Sequence, residues 1–432
     1  MNAISVALVL IAFLVAAFRH LTWDGVGDAA PMDVLATSMI DSAKGSVELA
    51  LGLVGVMALF LGLMKVAEKG GLLVIIAKTV RPLMVRLFPE VPADHPAMGA
   101  IILNISANVL GLGNAATPFG IRAMQELDKL NPQKGTATNA MALFLAINTS
   151  SVTILPTGVI ALRAAAGSSD PAGIVPTTLF ATICSTAVAI TPANLLRRYC
   201  AVKALPPEAQ PEEEAEQAPE TAVPSMEGGS EAYPTWISML VLGMIAAFVP
   251  LTVLYGSAIA PWIIPGLMVG LLGFGVAKKV RVYEAFVEGG KEGFQVALRI
   301  IPYLVAILVA VGMFRASGAL EMLITPLGAV TDLFGLPPEA LPMALLRPLS
   351  GSGAYGVMAS IIEDPAIGPD SYTGYLVSTL QGSTETTFYV LAVYFGAIQV
   401  RRIRHALAAG LSADVAGVIA AVLICSLLYG SL

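Results

Sequence analysis

The four residues Asn148-Thr149-Ser150-Ser151 lie inside Gly135–Leu162, a run of 28 residues that contains no Asp, Glu, Lys or Arg. As one helix this run would be about 42 Å long, which is more than the ~30 Å hydrocarbon core of a bilayer requires. The polar residues are the natural place for the helix to break. Non-helical backbone at membrane depth survives only inside protein or beside a wet cavity, so the stretch predicts a broken membrane helix at a central site.

Three further stretches have the same character. The counterpart of Asn148–Ser151 lies in the second half of the chain, at Gln381-Gly382-Ser383-Thr384-Glu385-Thr386-Thr387. The other two are Ala97–Ile121, which is uncharged but rich in Asn, and Arg347-Pro348-Leu349-Ser350-Gly351-Ser352-Gly353-Ala354. Their Ser and Thr residues suit the caps of new helices. Half-helix N-termini, which carry partial positive charge, would then point at one polar or anionic group.

The composition agrees with a membrane protein and disfavours several other classes. Of 432 residues, 56% are hydrophobic and only 12% are charged, whereas an average soluble domain is about 25% charged. Three Cys, each in or beside an apolar run, do not make a disulfide scaffold. The net charge of -6 disfavours nucleic acid as a partner. The sequence therefore predicts an all-α, polytopic integral membrane helix bundle.

Several stretches with at most one charge are long enough, or nearly so, to cross a bilayer. They are Ile4–Phe18, Leu49–Met64, Gly173–Leu196, Thr235–Tyr255, Gly256–Ala277, Ile300–Phe314 and Ala406–Tyr429. The first is predicted to be a retained helix and not a signal peptide, because Met1–Ser5 carries no basic residue and no small-x-small cleavage site follows.

Lys203–Pro234 differs from the rest of the chain, with eight Glu, one Lys and many Pro and Ala. Such a segment buries too little apolar surface to offset its ordering entropy, so it is predicted to be a disordered linker. A regulatory or partner-binding tail is the alternative. The linker separates a first repeat (1–202) from an extra helix plus a second repeat (235–432). It also accounts for the acidic balance of the chain.

Basic residues predict the orientation of the helices. The three basic clusters are Arg197–Lys203, Lys278–Arg281 and Arg401–Arg404. All three lie in the cytoplasm if Thr235–Tyr255 runs outward and Gly256–Ala277 returns. The linker is then inside, and the acidic loop Trp23–Asp41 is outside if the N-terminus is inside.

The two halves share an order of features, although their identity is low. Asp33–Ala50 aligns with Arg281–Leu298, and each leads into an apolar helix that ends at a basic residue and a Gly turn, near Lys65 and Arg315. Because the extra helix flips the second half, the halves are predicted to be inverted-topology repeats. Such repeats are typical of secondary transporters, where two opposed units open a central site to each side in turn.

The candidate substrate-binding residues are the polar side chains of the four stretches. They are Asn104, Asn108, Asn114, Thr117, Asn148, Thr149, Ser150, Ser151, Arg347, Ser350, Ser352, Gln381, Ser383, Thr384, Glu385 and Thr386. For the neutral residues, interhelical hydrogen bonding is the alternative. Arg347 and Glu385 either line the site, with Glu385 as a proton or cation carrier, or form a buried pair that locks the second half. The spacing of residues predicts no catalytic set, no metal site and no cofactor.

Two sets of motifs resemble known families. The chain resembles the bacterial spore maturation protein A family at Asn108–Pro118 and Asn148–Ser151. It resembles the spore maturation protein B family at Arg347–Gly353 and Gln381–Val390. The chain thus resembles an A–B fusion. Both families belong to the nucleoside recognition, or gate-domain, group, which includes parts of nucleoside transporters and of a ferrous-iron transporter. The resemblance implies a membrane transport fold and, in spore formers, an association with spore-core dehydration.

The first functional hypothesis is a secondary transporter of a polar or anionic small solute, not an enzyme, in the inner (cytoplasmic) membrane of a bacterium. Membrane lipids surround it, and a homo-oligomer is left open. One alternative is a non-transporting scaffold or regulator of envelope or spore maturation, whose linker carries the partner contacts. Another is a transporter of lipids or lipid-linked precursors, which requires a lateral opening to the bilayer.

Overall fold

Helices make up nearly all of the described chain. The computed structural model describes residues 2–25, 29–111, 113–196, 233–320, 322, 331 and 334–430. The helices of the first half are α1 (Asn2–Leu21), α2 (Pro31–Lys69), α3 (Leu72–Leu87), α4 (Pro96–Val109), α5 (Gly113–Lys129), α6 (Asn139–Thr149), α7 (Thr157–Ala165) and α8 (Ile174–Leu196). Those of the second half are α9 (Thr235–Ala277), α10 (Val282–Ala316), α11 (Leu341–Leu346), α12 (Gly351–Ile362), α13 (Tyr372–Ser383), α14 (Thr387–Gly396) and α15 (Ala406–Tyr429). The predicted helical membrane fold is confirmed, and α2, α8 and α15 are each long and apolar enough to span a bilayer.

The helices are interrupted at all four predicted places. We call these the first break (between Val109 and Gly113), the second break (150–156), the third break (347–350) and the fourth break (384–386). At the first break Gly111 has a φ of +74°, a left-handed conformation that glycine adopts without strain. A Cβ at this position would also collide with the carbonyl of Leu155 in the second break.

The same order of helices occurs in both halves. A long helix (α2 or α10) precedes a pair that flanks a break (α4–α5 or α11–α12), and in the first half α3 lies between them. A second broken pair (α6–α7 or α13–α14) and a long closing helix (α8 or α15) come next. The opening helices even end in the same turn, because Gly71 and Gly318 both have a φ of +80°. The internal repeat predicted from sequence is therefore present in the fold.

The two opening helices run antiparallel and in close contact. Near the start of α10, the Phe286 side chain lies against Gly62 in the second half of α2. Near the end of α10, Gly312 approaches Ser42, which lies near the start of α2. Contacts that advance along one helix while they retreat along the other define an antiparallel pair.

The two closing helices, α8 and α15, are also antiparallel. Ser185 near the middle of α8 donates to the carbonyl of Ala413 at 2.8 Å. At the far end, the Tyr429 hydroxyl donates to the carbonyl of Gly173 at 2.7 Å, just before α8 begins. Counterpart helices that meet antiparallel are what a two-fold axis in the membrane plane produces. The halves are inverted repeats, as predicted.

One end of the α8–α15 pair is closed by an ion pair between the halves. The fully buried Arg163 of α7 donates to the carboxylate of Asp370 at 3.0 Å and lies 4.2 Å from the centre of the Tyr375 ring. Partial burial raises the pKa of Asp370, but hydrogen bonds from Ser168 and Ser169 and the charge of Arg163 outweigh it and hold the pKa below its ordinary value. The α7–α8 loop is thereby fixed to the α12–α13 loop.

The other end of the α8–α15 pair is closed mainly by backbone hydrogen bonds. The Gly135 carbonyl accepts from the amides of Arg401 and Arg402 at 2.9 and 3.0 Å, and the Ala137 amide donates to the Arg402 carbonyl at 2.9 Å. Arg404 adds a bond from its guanidinium to the Ala137 carbonyl. Here the α5–α6 loop meets the α14–α15 loop. These are the counterparts of the α12–α13 and α7–α8 loops that meet at the first end, so the two ends are closed by equivalent pairs of loops.

One topological prediction was wrong. Thr235–Tyr255 and Gly256–Ala277 were expected to form a hairpin, but α9 is one continuous helix of 43 residues, about 65 Å long. The junction around Gly256 is uncharged, and a single Gly costs a helix only about 1 kcal/mol. The helix also continues through Pro250, Pro261 and Pro265, although proline disfavours a helix interior. The assignment of Lys278–Arg281 to the same face as the linker depended on that hairpin and loses its basis.

Two other predictions concern the acidic loop before α2 and the linker between the halves. Trp23–Asp41 was expected to be a loop, but α2 already begins at Pro31 with a proline in its first turn, where the missing N–H is not needed. Most of the expected linker (residues 203–232) lies outside the described residues.

The antiparallel pairing of α2 and α10 predicts the sidedness of their C-terminal ends. In a chain whose native Cys are replaced by Ser, Lys69→Cys and Arg315→Cys should react with a membrane-impermeant maleimide from opposite sides of sealed vesicles. Glu68→Cys, one residue from Lys69, is the matched control and should label from the same side as Lys69→Cys. Labelling of Lys69→Cys and Arg315→Cys from one side would contradict inverted repeats.

The close approach of α2 and α10 predicts unequal effects of two adjacent alanines. Gly289→Ala would place its Cβ against the Leu61 carbonyl, whereas the Cβ of Gly290→Ala would have its nearest neighbour at 3.8 Å. Overpacking should make Gly289→Ala less stable by about 1–3 kcal/mol, while Gly290→Ala should be neutral or gain up to about 1 kcal/mol. Thermal unfolding of both variants in detergent measures the difference, and equal stability would refute this packing.

Candidate functional site

Backbone hydrogen bonds join the breaks within each half in the same way. In the first half, the Ile154 amide of the second break donates to the Val109 carbonyl at 3.0 Å. In the second half, the Phe388 amide donates to the Pro348 carbonyl of the third break at 3.1 Å. Both bonds satisfy carbonyls that a broken helix leaves without an intrahelical partner. Each half therefore brings its two breaks together.

A third backbone bond joins the halves to each other. The Glu385 amide of the fourth break donates to the Thr149 carbonyl at the end of α6, at 2.8 Å. α15 passes beside this point, and its Gly410 and Gly417 lie so close to the methyl groups of Thr387 and Thr384 that a Cβ at either glycine would have to displace them. We call this meeting point the four-break junction. It is the candidate site.

Arg347 holds the third and fourth breaks together. Its guanidinium donates through Nε to the Gln381 carbonyl at 3.0 Å, through Nη1 to Thr386 Oγ1 at 2.9 Å, and through Nη2 to the Thr384 carbonyl. The side chain is 7% exposed. Two of its acceptors are carbonyls at the C-terminal end of α13, where a helix lacks internal donors and where a cation is favourable. Most of the donors of Arg347 are thus used inside the protein.

Glu385 is placed differently from Arg347. Its carboxylate oxygen lies 3.8 Å from Arg347 Nη2, which is a loose ion pair, and its side chain is 52% exposed. The sequence left open whether these two residues line the site or lock the second half. The contacts of Arg347 are those of a lock, whereas Glu385 keeps a carboxylate that a bound molecule can reach.

Amide side chains form the first-half part of the site. Asn148 Oδ1 accepts from Asn108 Nδ2 at 3.0 Å and from the Tyr394 hydroxyl at 3.4 Å. Asn104 Nδ2 donates to the same hydroxyl at 3.2 Å, while Asn104 Oδ1 is buried without a hydrogen-bond partner among the described residues. These contacts connect α4, α6 and α14, so the amide cluster crosses from one half to the other.

Several predicted hydroxyls bond to their own helix. Thr149 and Ser150 donate to the Ala146 carbonyl at 2.9 and 2.8 Å, as expected of buried hydroxyls at a helix C-terminus. Ser350 caps α12 by accepting from the Gly353 amide at 2.9 Å, which confirms that a Ser beside the Gly run starts a new helix.

The remaining predicted residues surround the junction at different depths. Ser151 and Ser383 are buried, Thr117 is partly buried and Ser352 is exposed. Asn114 lies in the first turn of α5, and its side chain is outside the described part of the chain.

Two residues that lie beside the junction were not among the predicted ones. Asp414 of α15 accepts a hydrogen bond from Thr387 at 2.7 Å, and Tyr394 connects the amide cluster to α14. Asp414 carries a recognisable signal, because it is the single charged residue in Ala406–Tyr429 and ionisable groups at membrane depth are functional candidates. Tyr394 carries none, since it is one of several aromatic residues in an apolar helix.

Comparison with known proteins identifies the family. The family model for nucleoside recognition (Gate) matches residues 50–166 and 297–401, together just over half of the chain. The chain belongs to this family. The first matched region contains the two breaks of the first half, and the second contains the two breaks of the second half. The family match therefore covers the four-break junction.

Two relatives each match a part of the chain. Spore maturation protein B of Bacillus subtilis (strain 168) is 49% identical over 168 residues, which cover 39% of this chain and 93% of that protein. Spore maturation protein A of the same organism is 47% identical over 148 residues, which cover 34% of this chain and 76% of that protein. The predicted resemblance to an A–B fusion is confirmed.

Solved structures of one protein are similar to the chain over its whole length. The structure of CNTnw in an inward-facing substrate-bound state is 15% identical, with a TM-score of 0.44 over 100% of this chain and 95% of that chain. The structure of a doubly substituted CNTnw variant in an outward-facing state has a TM-score of 0.42 over 100% of this chain and 96% of that chain, with the same identity.

The contacts of Arg347 and Glu385 predict very different costs of substitution. Arg347→Met leaves the carbonyls of Gln381 and Thr384 without these donors, each costing about 1–3 kcal/mol, so we expect a large loss of stability. Glu385→Gln removes only a loose, exposed pair, worth about 1 kcal/mol at most. Thermal unfolding of both variants in detergent is the measurement. If Arg347→Met is as stable as Glu385→Gln, Arg347 does not hold the break.

Proposed function

We propose that the chain is a secondary transporter that moves a polar small solute through the four-break junction, in the inner membrane of a bacterium. One observation carries the proposal: the broken helices of two inverted halves meet and are hydrogen-bonded to each other at a single place. Two oppositely oriented halves that share one site can expose it to each side of the membrane in turn. The basic loop Arg401–Arg404 then faces the cytoplasm.

The side chains at the junction favour a polar solute over an anionic one. Arg347 donates to backbone carbonyls of its own chain, whereas the carboxylate of Glu385 is exposed and would repel an anion. The solute should therefore present hydrogen-bond donors to Glu385. The description of the family, nucleoside recognition, supports a solute with several such groups, and nucleosides are the first compounds to test.

Uptake into proteoliposomes tests the proposal. The full chain is reconstituted, and uptake of labelled nucleosides and other polar solutes is compared with that of protein-free vesicles. Glu385→Gln should lower uptake about tenfold or more, equivalent to roughly 1.4 kcal/mol of lost binding or transition-state stabilisation. Glu363→Gln, an exposed acid after α12, is the matched control and should transport like the wild type.

Two outcomes would contradict the proposal. The first is an absence of uptake by the wild type across the panel, which would favour the scaffold alternative, in which deletion of Pro206–Glu231 abolishes a partner contact. The second is wild-type uptake by Glu385→Gln, which would place the solute elsewhere.

A further inference from the structure

Asp414 is a buried carboxylate beside the four-break junction that the proposed transport route leaves without a role. It is 5% exposed and lies on α15, which has no other acidic or basic residue. Asp414 Oδ2 accepts from Thr387 Oγ1 at 2.7 Å, and the side chain of Thr384 lies nearby. Asp414 Oδ1 is buried and has no hydrogen-bond partner among the described residues. One oxygen of this carboxylate is thus unsatisfied in the interior of the protein.

No charged side chain near Asp414 donates a described hydrogen bond to its carboxylate. Arg347 is near enough to act through its charge, but its described hydrogen bonds go to Gln381, Thr384 and Thr386. Arg347 also lies 3.8 Å from Glu385, which brings a second negative charge to the same break. Asp414 therefore shares one cation with another carboxylate and accepts none of the described hydrogen bonds of that cation.

The helices that pack against α15 supply no further cation. They are α6, α8, α13 and α14. Their ionisable side chains within the described residues are Cys184 on α8, Tyr372 and Tyr375 on α13, and Tyr389 and Tyr394 on α14. α15 itself adds Cys425 and Tyr429. Thiols and phenols are ordinarily neutral near neutral pH, so none of these groups offsets a negative charge on Asp414.

A buried carboxylate whose donors are hydroxyl groups is poorly stabilised as an anion, and a proton is the smallest ligand that neutralises it. We propose that Asp414 is a proton-binding site. A proton taken from water forms an O–H bond with Oδ1 and brings the side chain from a charge of about -1 to neutral. Release returns the proton to water and restores the carboxylate.

The contact with Thr387 connects this site to the fourth break. Thr387 is the first residue of α14, and a hydrogen bond to a carboxylate is stronger than one to a neutral carboxyl. Protonation should therefore weaken the attachment of α14 to α15 at the point where the break ends. This coupling to solute movement rests on the proposed function, whereas proton binding by Asp414 does not.

Infrared difference spectroscopy tests proton binding without any solute. Spectra of the full chain in lipid nanodiscs are recorded between alkaline and acidic buffer. We expect a carboxylic acid C=O band, typical of a buried group, that is absent in Asp414→Asn and present in the matched control Glu363→Gln. In the wild type, isotope-labelled aspartate should shift the band, which identifies an Asp even if Asp414→Asn folds poorly. An Asp414→Asn spectrum that keeps the band would overturn the proposal.

The proposal that Asp414 binds a proton would also be overturned if Asp414 binds a sodium ion instead. At constant pH, sodium chloride and choline chloride should stabilise the wild type equally in thermal unfolding. A stabilisation specific to sodium that Asp414→Asn abolishes would make Asp414 a metal-ion ligand.

Transport supplies an independent readout once a solute is known. An inward proton gradient should drive accumulation by the wild type, and Asp414→Asn should reduce that accumulation about tenfold while it keeps exchange of solute at equilibrium. Gradient-driven accumulation at the wild-type level in Asp414→Asn would overturn the coupling. If the wild type carries no solute, the proposed function fails and the infrared result still decides proton binding.

Discussion

Every backbone group that a broken helix releases inside a membrane needs a hydrogen-bond partner, because lipid offers none. Residues in or next to the second and fourth breaks meet part of this requirement by donating to carbonyls at other helix ends and breaks: Ile154 to Val109, Phe388 to Pro348, and Glu385 to Thr149. The need for partners therefore brings the interruptions to one place. The long helices α2 and α10, and α8 and α15, pack antiparallel around it.

The backbone of the junction is close to symmetric, but its side chains are not. The bonds Ile154–Val109 and Phe388–Pro348 have matching positions in the two halves. The first half then adds amides around Asn148, whereas the second half adds Arg347 and the exposed Glu385. The shared backbone pattern explains how two inverted units form one site. The unequal side chains give that site its chemistry, with a lock on one side and an accessible carboxylate on the other.

Composition and periodicity were sufficient to predict the helical membrane fold, the four broken stretches and the internal repeat. These features depend on local polarity inside apolar runs, which a sequence displays directly. The predicted inversion of the halves agrees with the structure, but the sequence argument for it used a hairpin that the structure replaces with the single helix α9. The hairpin at Gly256 was wrong because neither the Gly nor the nearby prolines Pro250 and Pro261 end the helix. An uncharged junction with such residues does not decide between a turn and a continuous helix.

The hydrogen-bond partners of the polar residues could not be predicted, because they depend on tertiary packing and not on local sequence. Whether Arg347 binds a ligand or the carbonyls of Gln381 and Thr384 depends on how α11 is placed against α13, and no local pattern records that distance. Asp414 was visible as an isolated charge in an apolar helix, but its position beside Thr387 follows only from the tertiary packing of α14 and α15.

The most direct measurement is an electron cryomicroscopy map of the full chain in lipid nanodiscs, in which the bilayer is visible. We expect α6 and α7, and α13 and α14, to be separated by non-helical backbone at the middle of the bilayer, with Glu385 against the end of α6. Continuous helices through residues 150–156 and 384–386, or breaks at the level of the lipid headgroups, would contradict a shared midplane site.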